Sequence, residues 1–322
     1  MTDSGQGTVV ISLDTEMAWG TFDTPDGLEK YEEAYRRTPE IVRELCSLFE
    51  EYDISATWAV VAHLFEDCDG HHDFPTVDFE WIDDWYGSLP CQTGVDRDLW
   101  YAPEILDTIQ SCSVEQEIGL HGYSHLILGD SNCPRHAAEY ELNSAMAVLE
   151  QYGVKPSSFV FPRNKIGHRD VLADAGIEVC RGRDDVWFEQ WHMPRLFRKP
   201  FRFANEALSR TPPAVAPQKQ DGLVEVRGSQ AFRPFHSGWQ FTPEWTRVSR
   251  AKKGIDWAVN TGKVFHMHFH PFDCAVGNQE VLSKLSKVLK YVAEKCGENK
   301  LKVKTLSEIK RETYARTDTY GE

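Results

Sequence analysis

The sequence predicts an α/β protein built as a single distorted (β/α)7–8 barrel with long βα-loop insertions, spanning residues 1–322. Three observations point there. Short apolar runs alternate with amphipathic helical stretches along nearly the whole chain. The length suits one barrel, which commonly uses roughly 250 residues, with insertions added. The titratable residues gather where the strands end.

In order, "TVVISLD" (8–14) reads as a strand, 38–53 as a helix and "SATWAVVAH" (55–63) as a strand. A helix near 103–111, the strand "EIGLH", a helix over 135–152, the strand "SSFVFP", a helix at 168–175 and the strand "IEVCRG" continue the rhythm. After a less regular section come the strands "GLVEVRG" (222–228) and "KVFHMHFH" (263–270). The helix "NQEVLSKLSKVLKYVAEKCG" and the final strand and short helix in "LKVKTLSEIKRE" follow. Such crossovers imply parallel pairing. Two segments break the pattern, 64–102 and 184–221, and both are expected to be rim-building βα loops. No linker or internal repeat divides the chain.

The composition excludes some partners. Fifty acidic against 35 basic residues give a net charge of −15, with no long basic block, so nucleic acid is not expected as a partner. No apolar run approaches the roughly 18 residues of a membrane span. Eight cysteines without a C-x-x-C pair, and an N-terminal stretch lacking basic and apolar signal regions, predict a reduced, cytoplasmic protein. The 41% hydrophobic content supports a sizeable core, and ten tryptophans suggest that some line a pocket; Trp100-Tyr101 and Trp187 lie in the insertions.

The chemistry collects at the strand ends. Asp14 ends the first strand with Glu16 two residues on; "HGYSH" places His121 and His125 after "EIGL"; Arg163 follows "FVFP"; His270 ends "VFHMHFH". In a β/α barrel these ends converge on one face. Two imidazoles and a carboxylate make a donor set used by catalytic zinc. Each residue has an ordinary alternative: a lone carboxylate there is commonly an N-cap, Arg163 a salt bridge, His268 a satisfied core histidine. "DGHHD" (69–73) reads as a solvated turn.

Together, "SLDTE", "HGYSH", "FVFPRN" and "HMHFHP" resemble, in order and over nearly the whole chain, the motifs of the NodB-like polysaccharide deacetylases (carbohydrate esterase family 4). The resemblance implies metal-dependent hydrolysis of an acetamide on a sugar. Asp14 would be the general base. Glu16, His121 and His125 would hold a divalent metal, expected to be zinc. His270 would protonate the leaving amine, Arg163 would keep Asp14 ionised, and an aspartate of "CRGRDD", Asp184 preferred to Asp185, would orient the catalytic histidine. Three features depart from the family pattern. Asp14-Thr15-Glu16 replaces adjacent aspartates. "FPRN" reverses the usual arginine-first order and brings Asn164 forward as an oxyanion or substrate contact. His268 stands where a leucine is usual, so either His268 or His270 could be the acid. The expected substrate is a small sugar or glycan intermediate; the alternatives are an allantoinase-like amide hydrolase or an inactive carbohydrate-binding protein.

Overall fold

A computed structural model of the protein describes residues 6–66, 72–93, 96–186, 195–276 and 278–318. The strands are β1 (Gly7–Thr15), β2 (Thr57–Val60), β3 (Glu117–Leu120), β4 (Ser158–Val160), β5 (Val179–Gly182), β6 (Gln218–Gln220), β7 (Leu223–Arg227), β8 (Gln230–Ala231), β9 (Val264–Phe269) and β10 (Leu301–Val303). They form one curled sheet in the order β6-β7-β5-β4-β3-β2-β1-β9-β8, a distorted barrel of the expected class. Every pairing is parallel except β6 with β7. β1 is the hub, with β9 along one edge and β10 then β2 along the other. All nine of its residues are buried, as expected of a parallel strand covered on both faces.

The register sets the level of the strand ends. Thr15 pairs with Val60, Val60 with Leu120, Leu120 with Phe159, Val160 with Arg181, and Leu13 with Phe269. The next residues along therefore emerge at one rim, among them Glu16, His121, Phe161 and His270. Period two decides which side chains share a face. Val10, Ser12 and Asp14 share one, as do Val179 and Arg181, and Val264, His266 and His268. Val10, Val179 and Val264 join Ala59, Val160, Val224, Leu306 and Ile309 in a buried apolar cluster. This face thus runs from an apolar floor to a polar rim.

The larger core lies between the sheet and the helices. Helix Gly27–Tyr52 buries Ala34, Tyr35, Thr38, Ile41, Val42, Leu45 and Phe49, a stripe at three- and four-residue spacing. It begins eleven residues before the expected start because that stripe already includes Ala34 and Tyr35, so Pro39 lies inside the helix rather than at its first turn. The first insertion packs through aromatics: Phe79, Trp85, Tyr86 and Trp100 are all buried. Trp100 meets Trp19 edge-on at 5.1 Å and accepts its indole N–H at the backbone carbonyl, so it is packing rather than an open sugar platform. Trp187 lies outside the described residues.

Candidate active site

At the rim, Glu16, His121 and His125 meet, all three buried. Glu16 Oε2 lies 3.1 Å from Nε2 of each histidine. His121 Nδ1 sits 2.7 Å from the Val160 carbonyl, which can only accept, so Nδ1 carries the proton. The Val160 contact leaves Nε2 as the nitrogen that faces Glu16, and a carboxylate and two imidazoles converging in this way are a donor set that suits a divalent metal. Burial lowers the His125 pKa, keeping that ring neutral and available as a ligand. Two backbone features make the arrangement possible. His125 takes a left-handed φ of 65°, a strained value for a bulky residue and one that turns its ring back toward His121. At Gly20 a Cβ would stand 2.0 Å from Glu16 Oε1, so glycine there makes room for the carboxylate.

Asp14 is held by Arg181 of β5 through two parallel hydrogen bonds, 2.5 Å to Oδ1 and 2.6 Å to Oδ2. Burial alone would raise the Asp14 pKa; the guanidinium outweighs it and holds the carboxyl well below its usual range. Arg181 also donates to Ser12 Oγ at 3.1 Å, and Ser12 Oγ lies 2.9 Å from His266 Nε2. Burial and the same arginine push the His266 pKa down to about 3, so that ring is neutral.

His270 faces this group from the other side, its Nε2 3.6 Å from Glu16 Oε1 and 3.9 Å from Asp14 Oδ2. Its Nδ1 donates to Asp273 at 2.9 Å. Burial would lower its pKa, but Glu16, Asp273 and Asp14 raise it to about 10. Its side chain keeps 35% exposure, so it is reachable from outside. His268, deeper on the same strand, donates through Nε2 to Asp184 at 2.9 Å, and burial holds its pKa below the usual value despite that carboxylate.

A sequence model of polysaccharide deacetylases matches residues 12–179, more than half of the 322. The chain belongs to the polysaccharide deacetylase family. Among curated proteins none matches the sequence. Among solved structures it is similar in fold to a Mycobacterium smegmatis protein designated a polysaccharide deacetylase, at 15% identity over 98% of this chain and 93% of the other, TM-score 0.64. A Pseudomonas aeruginosa PAO1 protein of the same designation gives 12% identity, 97% and 92% coverage and TM-score 0.60. The allantoinase PuuE gives 12%, 98% and 92%, and 0.61.

One expectation for this polysaccharide deacetylase family member is corrected by the geometry. Arg163 does not stand beside Asp14. It pairs with Asp23, whose other carboxylate oxygen accepts from the Trp81 indole at 2.7 Å, so it ties three rim segments together. The left-handed φ values at Arg163 and Asn164 turn the chain away from Asp14 at that point. Asp184 holds His268, one of the two histidines the sequence offers as the acid, and the carboxylate partner of the other, His270, is Asp273. Asn164 reaches the site indirectly, its Oδ1 accepting from Arg181 at 3.3 Å.

Sequence reasoning missed Arg181, Asp273 and Glu141. Glu141, in helix Arg135–Gln151, accepts from the Tyr123 N–H at 2.8 Å and the Ser124 N–H at 3.0 Å, and from the Ser124 and Tyr86 hydroxyls. It thereby shapes the loop between the two histidines. Gly122 permits that shape, with φ of 91° and the Glu141 carboxylate 3.0 Å from where a Cβ would stand.

Proposed function

We propose that this protein is a metal-dependent deacetylase that hydrolyses the acetamide of an N-acetylated sugar borne on a nucleotide, lipid or glycan intermediate in the cytoplasm. The observation that carries the reading is a buried carboxylate and two imidazoles flanked by two groups of opposite protonation, Asp14 on Arg181 and His270 on Asp273. A divalent cation held by Glu16, His121 and His125, zinc by donor type, would polarise the acetyl carbonyl and acidify the attacking water.

Asp14 receives the proton from that water. A carboxylate held as acidic as Asp14 is a weak base, so it suits a water that is already acidified; Arg181 keeps it ionised and fixes both its oxygens. The water oxygen bonds to the acetyl carbon, the C–N bond breaks, and the nitrogen takes a proton from His270 Nε2. Asp273 on Nδ1 keeps that ring charged and oriented even where a cation offsets the pull of Glu16. Acetate and the free amine leave.

The test is a panel of nucleotide- and lipid-linked N-acetylhexosamines and cyclic ureides incubated with zinc-loaded protein, with products read by mass spectrometry. Acetate release from the sugars is expected. Ring opening of ureides alone would favour an allantoinase-like activity, in line with the fold shared with PuuE. Sugar binding without turnover would leave a carbohydrate-binding role.

A further inference from the structure

A second group of metal-ligating residues lies behind the HGYSH loop. His63, in the turn Ala62–Phe65 after β2, is fully buried, and its backbone N–H donates to the Tyr123 carbonyl at 3.1 Å. Its ring is stacked on Trp19 (centroids 4.5 Å, 24° between planes) and on Tyr123 (4.4 Å, 19°). With stacked aromatics on its faces, only the edge of the imidazole is open to a partner. Yet neither ring nitrogen has a hydrogen-bond partner among the described residues. The Glu66 carboxylate stands 3.5 Å from Nε2 and accepts from the Tyr123 hydroxyl at 2.5 Å. Buried polar atoms left without a partner are rare in native proteins.

The residues at that edge supply the partner chemistry. His72 meets the His63 ring edge-on at 5.1 Å, and the ligand atoms of His63, His72 and Cys91 all lie within 4.8 Å of one another. A zinc tetrahedron with bonds of about 2.0–2.1 Å to nitrogen and about 2.3 Å to sulfur has edges of about 3.3–3.8 Å, so modest side-chain movement would close the set. His72 is half-buried and stacks on Phe74 at 4.4 Å, so this part of "DGHHD" is not the solvated turn its sequence suggests; 69–71 lie outside the described residues.

We propose that His63, His72 and Cys91 form a second metal site, distinct from the Glu16 group, which takes a thiophilic divalent ion such as zinc and pins the first insertion to the barrel. Two imidazoles and a thiolate are a softer set than two imidazoles and a carboxylate, and they favour zinc over magnesium or calcium. The site has a structural rationale. Among its described residues, regular structure between 66 and 102 consists of the short turns Tyr86–Ser88, Pro90–Thr93 and Arg97–Leu99, so a metal bridge from 63 to 72 and 91 would fix a segment with few ladder hydrogen bonds of its own. It also reaches the active site, since His63 supports Trp19, three residues after Glu16, and Tyr123, between His121 and His125.

The test is metal content after loading with zinc and gel filtration. Two equivalents per chain are expected in the wild type and about one in Cys91→Ser, in His72→Gln and in His121→Ala. None is expected in the Cys91→Ser/His121→Ala double variant. Cobalt(II) replaces zinc as a spectroscopic probe that does not depend on the cysteine variant folding. The wild type and His121→Ala should both show the near-ultraviolet thiolate-to-cobalt charge-transfer band, and Cys91→Ser should lack it. A wild type without that band, a His121→Ala protein with no metal, or a Cys91→Ser protein that keeps both equivalents and the band would overturn the proposal. Failure of the deacetylase reading would appear differently, as absent acetate release with this second equivalent intact.

Discussion

Asp14 and His121 line the same site, but they should fail in different ways when replaced. Asn at position 14 keeps the shape of the side chain and removes the base, so metal content should stay near that of the wild type while kcat falls about 10²–10⁴-fold. His121→Ala should lose the metal of the Glu16 group along with activity. Metal analysis beside single-turnover acetate release separates the two, and an Asp14→Asn enzyme of full activity would remove Asp14 from the mechanism. Arg181→Met tests the pair from the other side. It leaves a buried carboxylate without its partner, a loss of about 3–5 kcal/mol by denaturant unfolding. Burial then dominates, the Asp14 pKa rises, and the acid limb of kcat/KM should move to higher pH because the ionised base appears later in the titration. An unmoved acid limb would mean that Asp14 is not the group titrating there.

Glu141 shows how a helix shapes a loop it does not belong to. With the carboxylate gone, the Tyr123 and Ser124 N–H groups lose their acceptor, at a cost of about 1–3 kcal/mol for each buried donor left unsatisfied. Glu141→Ala should therefore lower thermal stability and weaken the zinc affinity of the His121–His125 pair, as titration calorimetry would measure. An unchanged affinity would show that the loop holds its shape without it. The elements themselves were legible to different degrees. Eight of the ten strands and their parallel pairing followed from short apolar runs, while the polar β6 and the two-residue β8 did not. Helix Trp245–Thr261 did not, because its buried face is made of Thr246, Arg247, Arg250, Ala251, Gly254 and Ile255, which carries little apolar periodicity. Arg247 is buried yet satisfied, donating to the Arg233, Pro234 and Trp239 carbonyls, and a Cβ at Gly254 would come within 2.3 Å of the Phe265 ring.

Across the whole molecule, the sequence indicated which titratable residues gather at strand ends but not which charges pair. Arg181 lies inside a run read as an apolar strand, and only the register of β4 with β5 and the curl of the sheet bring it to Asp14. Asp273 follows Pro271 in the first turn of a helix, where an acid is ordinary, so its tie to His270 left no mark in the sequence. His268 in β9 and His270 just after it lie two residues apart, and their carboxylates come from segments about ninety residues apart; spacing alone could not assign Asp184 to one of them. Charge is also uneven at this scale. The chain is acidic overall, yet Arg181 is buried and holds the Asp14 carboxylate ionised beside the Glu16–His121–His125 group. On the function we propose, a divalent cation held by that group and these residues together cleave an acetamide. The most direct test is the rate of acetate release from an N-acetylhexosamine derivative as zinc is titrated into chelator-stripped protein. No release is expected without metal, followed by a rise that saturates as the Glu16–His121–His125 group fills. Equal release from the metal-free protein, or none at any zinc level from any N-acetylated sugar, would contradict it.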